Sequence, residues 1–212
     1  MIFRMRSISA AGALVLLGAW AVESPAGVTR FEITPGTEGN TVRFESKAPV
    51  ETVVGTSSAI RGWVEVDPSA VGDSAGVHVE VDLATLKTGI GLRDRHMREN
   101  HLETERYPQA IFRGARIVPA AGQPAGARRS LTTAPQTMEI AGEFELHGVR
   151  RALRLPVVLS LHEAEGRAIL KIECHFQVGL ADYGIARPQF LVMKLSDVQG
   201  ISLSVTAMEV KP

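Results

Sequence analysis

The stretch MEIAGEFELHGVRRALRLPVVLSL, Met138 to Leu161, decides the fold class. In its first half Met138, Ile140, Gly142, Phe144 and Leu146 fall on one face of an extended chain, and Glu139, Glu143 and Glu145 fall on the other. In its second half Leu153, Leu155, Val157, Leu159 and Leu161 alternate with Arg154, Pro156, Val158 and Ser160. A period of two is the mark of a half-buried strand. The turn His147–Arg150 joins the two runs, so they read as a hairpin. Pro156 is expected at an edge or a bulge, because proline removes a ladder donor.

The same alternation spreads outward in both directions. Leu170, Ile172, Cys174, Phe176 and Val178 face one way, with Lys171, Glu173, His175 and Gln177 facing the other. Ile201, Leu203 and Val205 oppose Ser202, Ser204 and Thr206, and Val77, Val79 and Val81 oppose His78, Glu80 and Asp82. Shorter candidates are Thr29–Thr34, Thr41–Lys47, Val50–Gly55, Ile60–Asp67 and Ala110–Val118. About nine or ten short strands with one apolar face each predict an all-β chain, a closed barrel or a sandwich rather than a parallel sheet. Hairpin-length spacings favour an up-and-down antiparallel order. Two segments break the pattern. Leu86–Pro108 has room for a short helix or irregular crossover, with Asp94 as its expected N-cap. Leu180–Ser196 reads as a long irregular connection, and the Ala-, Gly- and Pro-rich stretch Pro119–Pro135 as an exposed loop between strands.

The first residues stand apart. Arg4 and Arg6 precede the uncharged run Ile8–Val22, which ends in Ala19-Trp20-Ala21. A basic start, a short apolar run and an A-x-A site make a secretory signal peptide over residues 1–21. Residues 22–212 then form one domain, which the sequence places in the periplasm or outside the cell after cleavage near Ala21. Cleavage there removes two arginines and no acids, leaving 21 basic and 23 acidic side chains. So even a balance gives no footprint for nucleic acid. One cysteine, Cys174, permits no internal disulfide, so the fold must rest on burial.

The densest chemistry lies in RDRHMRENHLETERYP, Arg93 to Pro108, with eight charged side chains and two histidines in sixteen residues. His96 and His101 stand five apart, which on a helix points them away from each other and not along one metal-binding face. No metal is expected. Cys174 shares a face with Ile172 and Phe176, an apolar setting that leaves a thiol inert. No nucleophile elbow, P-loop or dinucleotide fingerprint is present, and no catalytic residue is assigned. The alternative is a hydrolase or isomerase acting on an apolar substrate, with Asp94 and His96 as its acid–base pair. Arg93, Arg95, Arg98 and Arg106 cluster among acids, which favours local pairing over a nucleic-acid arm.

These landmarks, taken in order, resemble the YceI-like family of exported bacterial proteins. FEITP followed by VRFESK is similar to the family's first strands. VEVDLATLKTGIGLRDRHMRENHLETERYPQAIFRG resembles its most recognisable block, a strand, a T-G turn, an R-D-x-H motif and an aromatic-Pro pair. IAGEFELHGVRRALRLPV resembles its H-G-V hairpin, and LADYGI its late D-F-G-type loop. The likeness runs from about Arg30 to Val210. Met97 stands in place of the usual leucine, Arg150-Arg151 in place of a Thr-Arg or Thr-Lys pair, and His101-Leu102 in place of a Phe-Phe pair.

The resemblance implies a single lipocalin-like antiparallel barrel of about eight strands that binds or carries polyisoprenoid lipids such as quinones. A bound isoprenoid or acyl lipid would then be the ligand, with no cofactor. Aromatic residues make up only 5% of the chain, so an inward face of Val, Leu, Ile and Ala suits a flexible hydrocarbon tail. Alternation by itself does not separate a lined cavity from a core filled by its own side chains. Val79, Val81, Phe112, Phe144 and Leu155 are expected to line the tail pocket, together with Val157, Ile172, Phe176, Leu203 and Val205. Arg93, Asp94, His96 and Met97 are expected at its mouth, ordering that segment or meeting a head group. The expected partner is an apolar lipid, with transient membrane contact, in a monomer or homodimer.

Overall fold

The computed structural model describes residues 27–49, 51–72, 75–120, 129–190 and 193–211. The expected signal peptide, Val50 and the middle of the Pro119–Pro135 loop lie outside the described residues. Ten strands make one antiparallel sheet that closes on itself. They are β1 (Thr29–Ile33), β2 (Thr41–Lys47), β3 (Thr52–Ser57), β4 (Ile60–Val66), β5 (Gly76–Asp82), β6 (Gln109–Pro119), β7 (Gln136–Leu146), β8 (Val149–Ala164), β9 (Arg167–Gly179) and, after a small separate hairpin β10 (Gln189–Phe190) and β11 (Met193–Lys194), β12 (Val198–Glu209). Each barrel strand buries alternate residues, as a one-sided apolar face requires.

The ten strands amount to eight staves. β1 and β2 both pair antiparallel with β12, β1 at its far end (Phe31 opposite Glu209) and β2 at its near end (Ser46 opposite Gln199). They are therefore one interrupted stave, and β3 and β4, which pair with β2 and β1, are another. Asn40 stitches the interruption. Its Oδ1 accepts from Thr206 N at 2.7 Å and its Nδ2 donates to Thr206 O at 3.3 Å, so a side-chain amide takes the place of a strand residue. Counted by stave, every barrel neighbour except the first-to-last closing pair is also a chain neighbour, which is the up-and-down order. The sheet closes through the pairing of β1 with β12.

The β7–β8 turn holds two residues, His147 (φ 52°) and Gly148 (φ 75°), the paired left-handed conformation that matches strand twist in a hairpin. β8 pairs with β7 from Val149 to Leu159, yet with β9 only from Val157–Cys174 to Ala164–Arg167. Pro156 is the first residue past the end of that second ladder. A residue without an N–H thus sits inside a barrel stave where pairing on one side stops. Beyond it β8 and β9 part, and a 3-10 turn, Ala181–Tyr183, is held to this end of the barrel. Arg151 Nε donates to Asp182 O at 2.7 Å, His147 Nδ1 donates to Tyr183 O at 3.2 Å, and the Tyr183 ring meets Phe144 edge-on at 5.7 Å.

Two apolar clusters close the interior unequally. At the end opposite that turn Phe31, Ile60, Val64, Val66, Leu170 and Ala207 are almost wholly buried and plug the barrel. At the other end a second cluster, Leu83, Leu86, Leu146, Val178, Leu180, Tyr183 and Ile185, packs beneath the β5–β6 and β9–β12 crossovers. The β5–β6 crossover begins with a 3-10 turn at Leu83–Thr85, capped by Asp82 Oδ1 accepting from Ala84 N at 2.9 Å. It continues as the helix α1 (Gly91–His96) and one π-turn, Met97–His101. Asp94 is not the N-cap. That position is Ile90, which has no capping side chain, and Asp94 lies within α1. Its carboxylate reaches back out of the helix to accept from the Thr88 backbone N (2.7 Å) and Oγ1 (2.5 Å), which pins the loop before α1 and leaves the helix N-terminus without a side-chain cap.

Candidate functional site

Between the plug and the crossovers lies a cavity of about 490 Å³, open at the crossover end. Inward strand positions form its wall: Val79 and Val81 of β5, Phe112 of β6, Phe144 of β7, and Leu155 and Val157 of β8. Ile172 and Phe176 of β9 and Leu203 and Val205 of β12 complete this part of the lining. The phase of six strands therefore brings all ten expected pocket residues to one surface. Glycines make room for the rings. A Cβ on Gly142 would lie 2.3 Å from the Arg113 carbonyl oxygen and 2.8 Å from Cζ of Phe112, so the inward step in β7 is left to a hydrogen atom. Phe144 and Phe176 meet edge to face at 5.7 Å near the open end.

The mouth is built by the β5–β6 crossover and the segment before β12. Arg93, His96 and Met97 belong to the lining, whereas Asp94 does not. Asp94 is buried, 7% exposed, under the loop that it braces. Burial pushes its carboxyl up, but the two Thr88 hydrogen bonds and the nearby Arg98 and Arg93 charges outweigh that and hold its pKa below the ordinary carboxylate value. Arg93 serves the same loop. Its Nε donates to Thr88 Oγ1 at 2.8 Å, its Nη2 to Thr88 O at 3.1 Å, and its Nη1 lies 3.6 Å from Glu51 Oε1. Asp94 and Arg93 thus brace the crossover around Thr88. His101 Nδ1 donates to the Ala186 carbonyl at 3.1 Å and ties the two mouth segments together.

No hydrogen bond or ion pair joins Asp94 to His96 among the described residues, so the acid–base pair of the enzyme alternative is not assembled. Among the described residues no group of three His, Cys, Asp or Glu side chains is placed to hold a metal ion. Cys174 is buried on the cavity wall, and burial pushes its thiol up to about 12, which keeps it protonated and unreactive.

Several lining residues escaped the sequence reading. Val42, Phe44 and Ser46 form the inward face of β2, and Gln199 begins that of β12. The period-two pattern of VRFESK contained the β2 signal, but Ser46 and Gln199 carry no apolar mark. Ile90 and Leu92, 52% and 58% exposed, sit on the rim just before the charged run Arg93–Pro108. Pro188 and Leu195 complete the rim from the other side.

Solved structures with this architecture carry little sequence in common. BcnA of Burkholderia cenocepacia matches with a TM-score of 0.62 at 14% identity, covering 79% of this chain and 95% of its own. A domain from Saccharophagus degradans, described as polyisoprenoid binding and implicated in plant cell wall breakdown, matches with a TM-score of 0.61 at 13% identity, covering 86% of this chain and 99% of its own. The YceI protein of Campylobacter jejuni matches with a TM-score of 0.60 at 15% identity, covering 76% and 88%. Comparison with curated proteins gives no match. At these identities the likeness is one of fold, a barrel wound the same way. The sequence itself supplies the rest: residues 32–207, from within β1 to within β12, match the YceI-like domain, and the chain belongs to the YceI-like family.

Proposed function

We propose that this protein is an exported carrier or binding protein for a long apolar lipid of polyisoprenoid, quinone or fatty-acyl type, held inside the barrel. The observation that carries this reading is the cavity, about 490 Å³, walled by aliphatic and phenylalanine side chains and open at the crossover end. Each methylene moved from water into such a lining is worth about 0.8 kcal/mol, so about ten of them supply several kcal/mol before the entropy of association is subtracted. The Saccharophagus degradans domain of similar fold, described as polyisoprenoid binding, supports the same class of ligand. Export is supported by the leader-like residues 1–21. The exposed Ile90 and Leu92 at the mouth, beside Arg95, support transient contact with a membrane surface during loading. The ligand takes the place of a cofactor, and no reaction is assigned to the crossover, where Asp94 and Arg93 are engaged with Thr88 and Glu51.

Native mass spectrometry of protein purified without detergent tests the reading. The expected spectrum shows a bound species of lipid mass that organic solvent removes. A clean apo mass, together with no thermal shift on adding quinones or fatty acids, would overturn it.

A further inference from the structure

We infer that Ser46 and Gln199 form a head-group site just inside the mouth, built for a neutral hydroxyl at the end of the apolar chain. The inference rests on the carrier reading and narrows its ligand class. The two residues are cross-strand partners of β2 and β12, on the same inward face, and both line the cavity. Directly opposed side chains on one sheet face have Cβ atoms about 5 Å apart. They are 2% and 7% exposed, polar positions in phases otherwise filled by Val42, Phe44, Ile201 and Leu203.

Their hydrogen bonding is incomplete in a complementary way. Ser46 Oγ is buried and has no hydrogen-bond partner. Folds rarely leave a buried hydroxyl in that state without a function for it. Gln199 is oriented by its own Nε2, which donates to Ser196 O at 2.6 Å, while its Oε1 takes part in no hydrogen bond among the described residues. The pair therefore offers one free donor and one free acceptor. An alcohol supplies the matching acceptor and donor in a single group.

The surroundings disfavour a charged head. Arg93, the guanidinium on the cavity lining, is already committed to Thr88 and Glu51. Glu51 lies on the same lining, so a carboxylate or phosphate entering the mouth meets a negative neighbour and a cation that is already paired.

Displacement of the apolar reporter N-phenyl-1-naphthylamine can separate these statements, with farnesol, farnesene and farnesoic acid as three heads on one skeleton. The wild type should bind farnesol and farnesene, with farnesoate weakest. Ser46→Ala should weaken farnesol about five- to tenfold, the loss of one hydrogen bond, and leave farnesene within about twofold. Gln199→Met should give the same split and guards against a folding defect in the first variant. Equal weakening of farnesol and farnesene, no change in either, or farnesoate binding tightest would overturn the head-group site while the carrier reading stands. Failure of farnesene and farnesol alike to bind the wild type would overturn both.

Discussion

At the scale of single residues, Asp94 shows how a charged side chain can look catalytic and be structural. It sits in an R-D-x-H motif, yet its acceptors go to Thr88, and the loop it braces carries Arg93 to the cavity rim. Asp94→Asn keeps the size and removes the charge, and is expected to lower stability by about 1–3 kcal/mol at pH 7 in a denaturant titration. The pH dependence has a definite sign. A carboxyl whose folded pKa is depressed contributes stability that is complete above its unfolded value, about 3.9, and is lost as pH falls through the lower folded value. The stability gap between the wild type and Asp94→Asn should thus hold from pH 7 to about 5 and narrow below about 4. A gap of equal size at pH 7 and pH 3 would show that the carboxylate's charge is not what holds the loop. The sequence could not reveal this arrangement, because an Asp that reaches back from within a helix to the preceding loop has the same local pattern as one that caps the helix.

At the scale of elements, the β7–β8 hairpin organises the mouth as well as the sheet. Its turn residue His147 donates to Tyr183 O and lies 4.4 Å, centroid to centroid, from the Tyr107 ring at the end of the β5–β6 crossover. Gly148 beside it has a positive φ, and a Cβ there would meet Tyr107 Cε1 at 2.7 Å. Gly148→Ala therefore combines a left-handed backbone penalty with a steric clash, and is expected to cost about 1–3 kcal/mol. Near-neutral behaviour in thermal unfolding would mean that the turn and Tyr107 move apart freely. Val149→Ala, on the same hairpin without either feature, serves as the comparison. The strands themselves were legible, since Leu153–Leu161 and Leu170–Val178 keep their alternation in β8 and β9 almost residue for residue. What periodicity could not show is pairing. Nothing in it says that Asn40 stands in for a strand residue opposite Thr206, or that the β8–β9 ladder ends at Pro156.

At the scale of the whole molecule, the decisive property is that the interior is unfilled. A barrel of eight staves can be packed by its own side chains, and alternation looks the same in either case. Here the difference arises from which residues face inward. The far end is plugged by Phe31 and its neighbours, while around the middle the Val, Leu, Ile and Phe side chains of the wall leave open space between them. Phase in the sequence placed ten wall residues, and the polar pair Ser46–Gln199 went unseen because inward-facing polarity looks like an outward face. If the cavity holds lipid, filling it should abolish uptake without unfolding the barrel. Ile172→Trp and Val157→Phe each add bulk from the wall into open space instead of into a close-packed core, so the overpacking penalty of about 1–3 kcal/mol should be largely avoided. Both variants are expected to keep the far-UV spectrum and thermal midpoint of the wild type within a few degrees, and to lose most of the co-purified lipid in native mass spectra. Undiminished lipid with an unchanged midpoint would place the ligand outside the barrel. A large fall in the midpoint would instead mean that the middle of the barrel is closed in solution, and the apolar end of the chain would then have no room inside it.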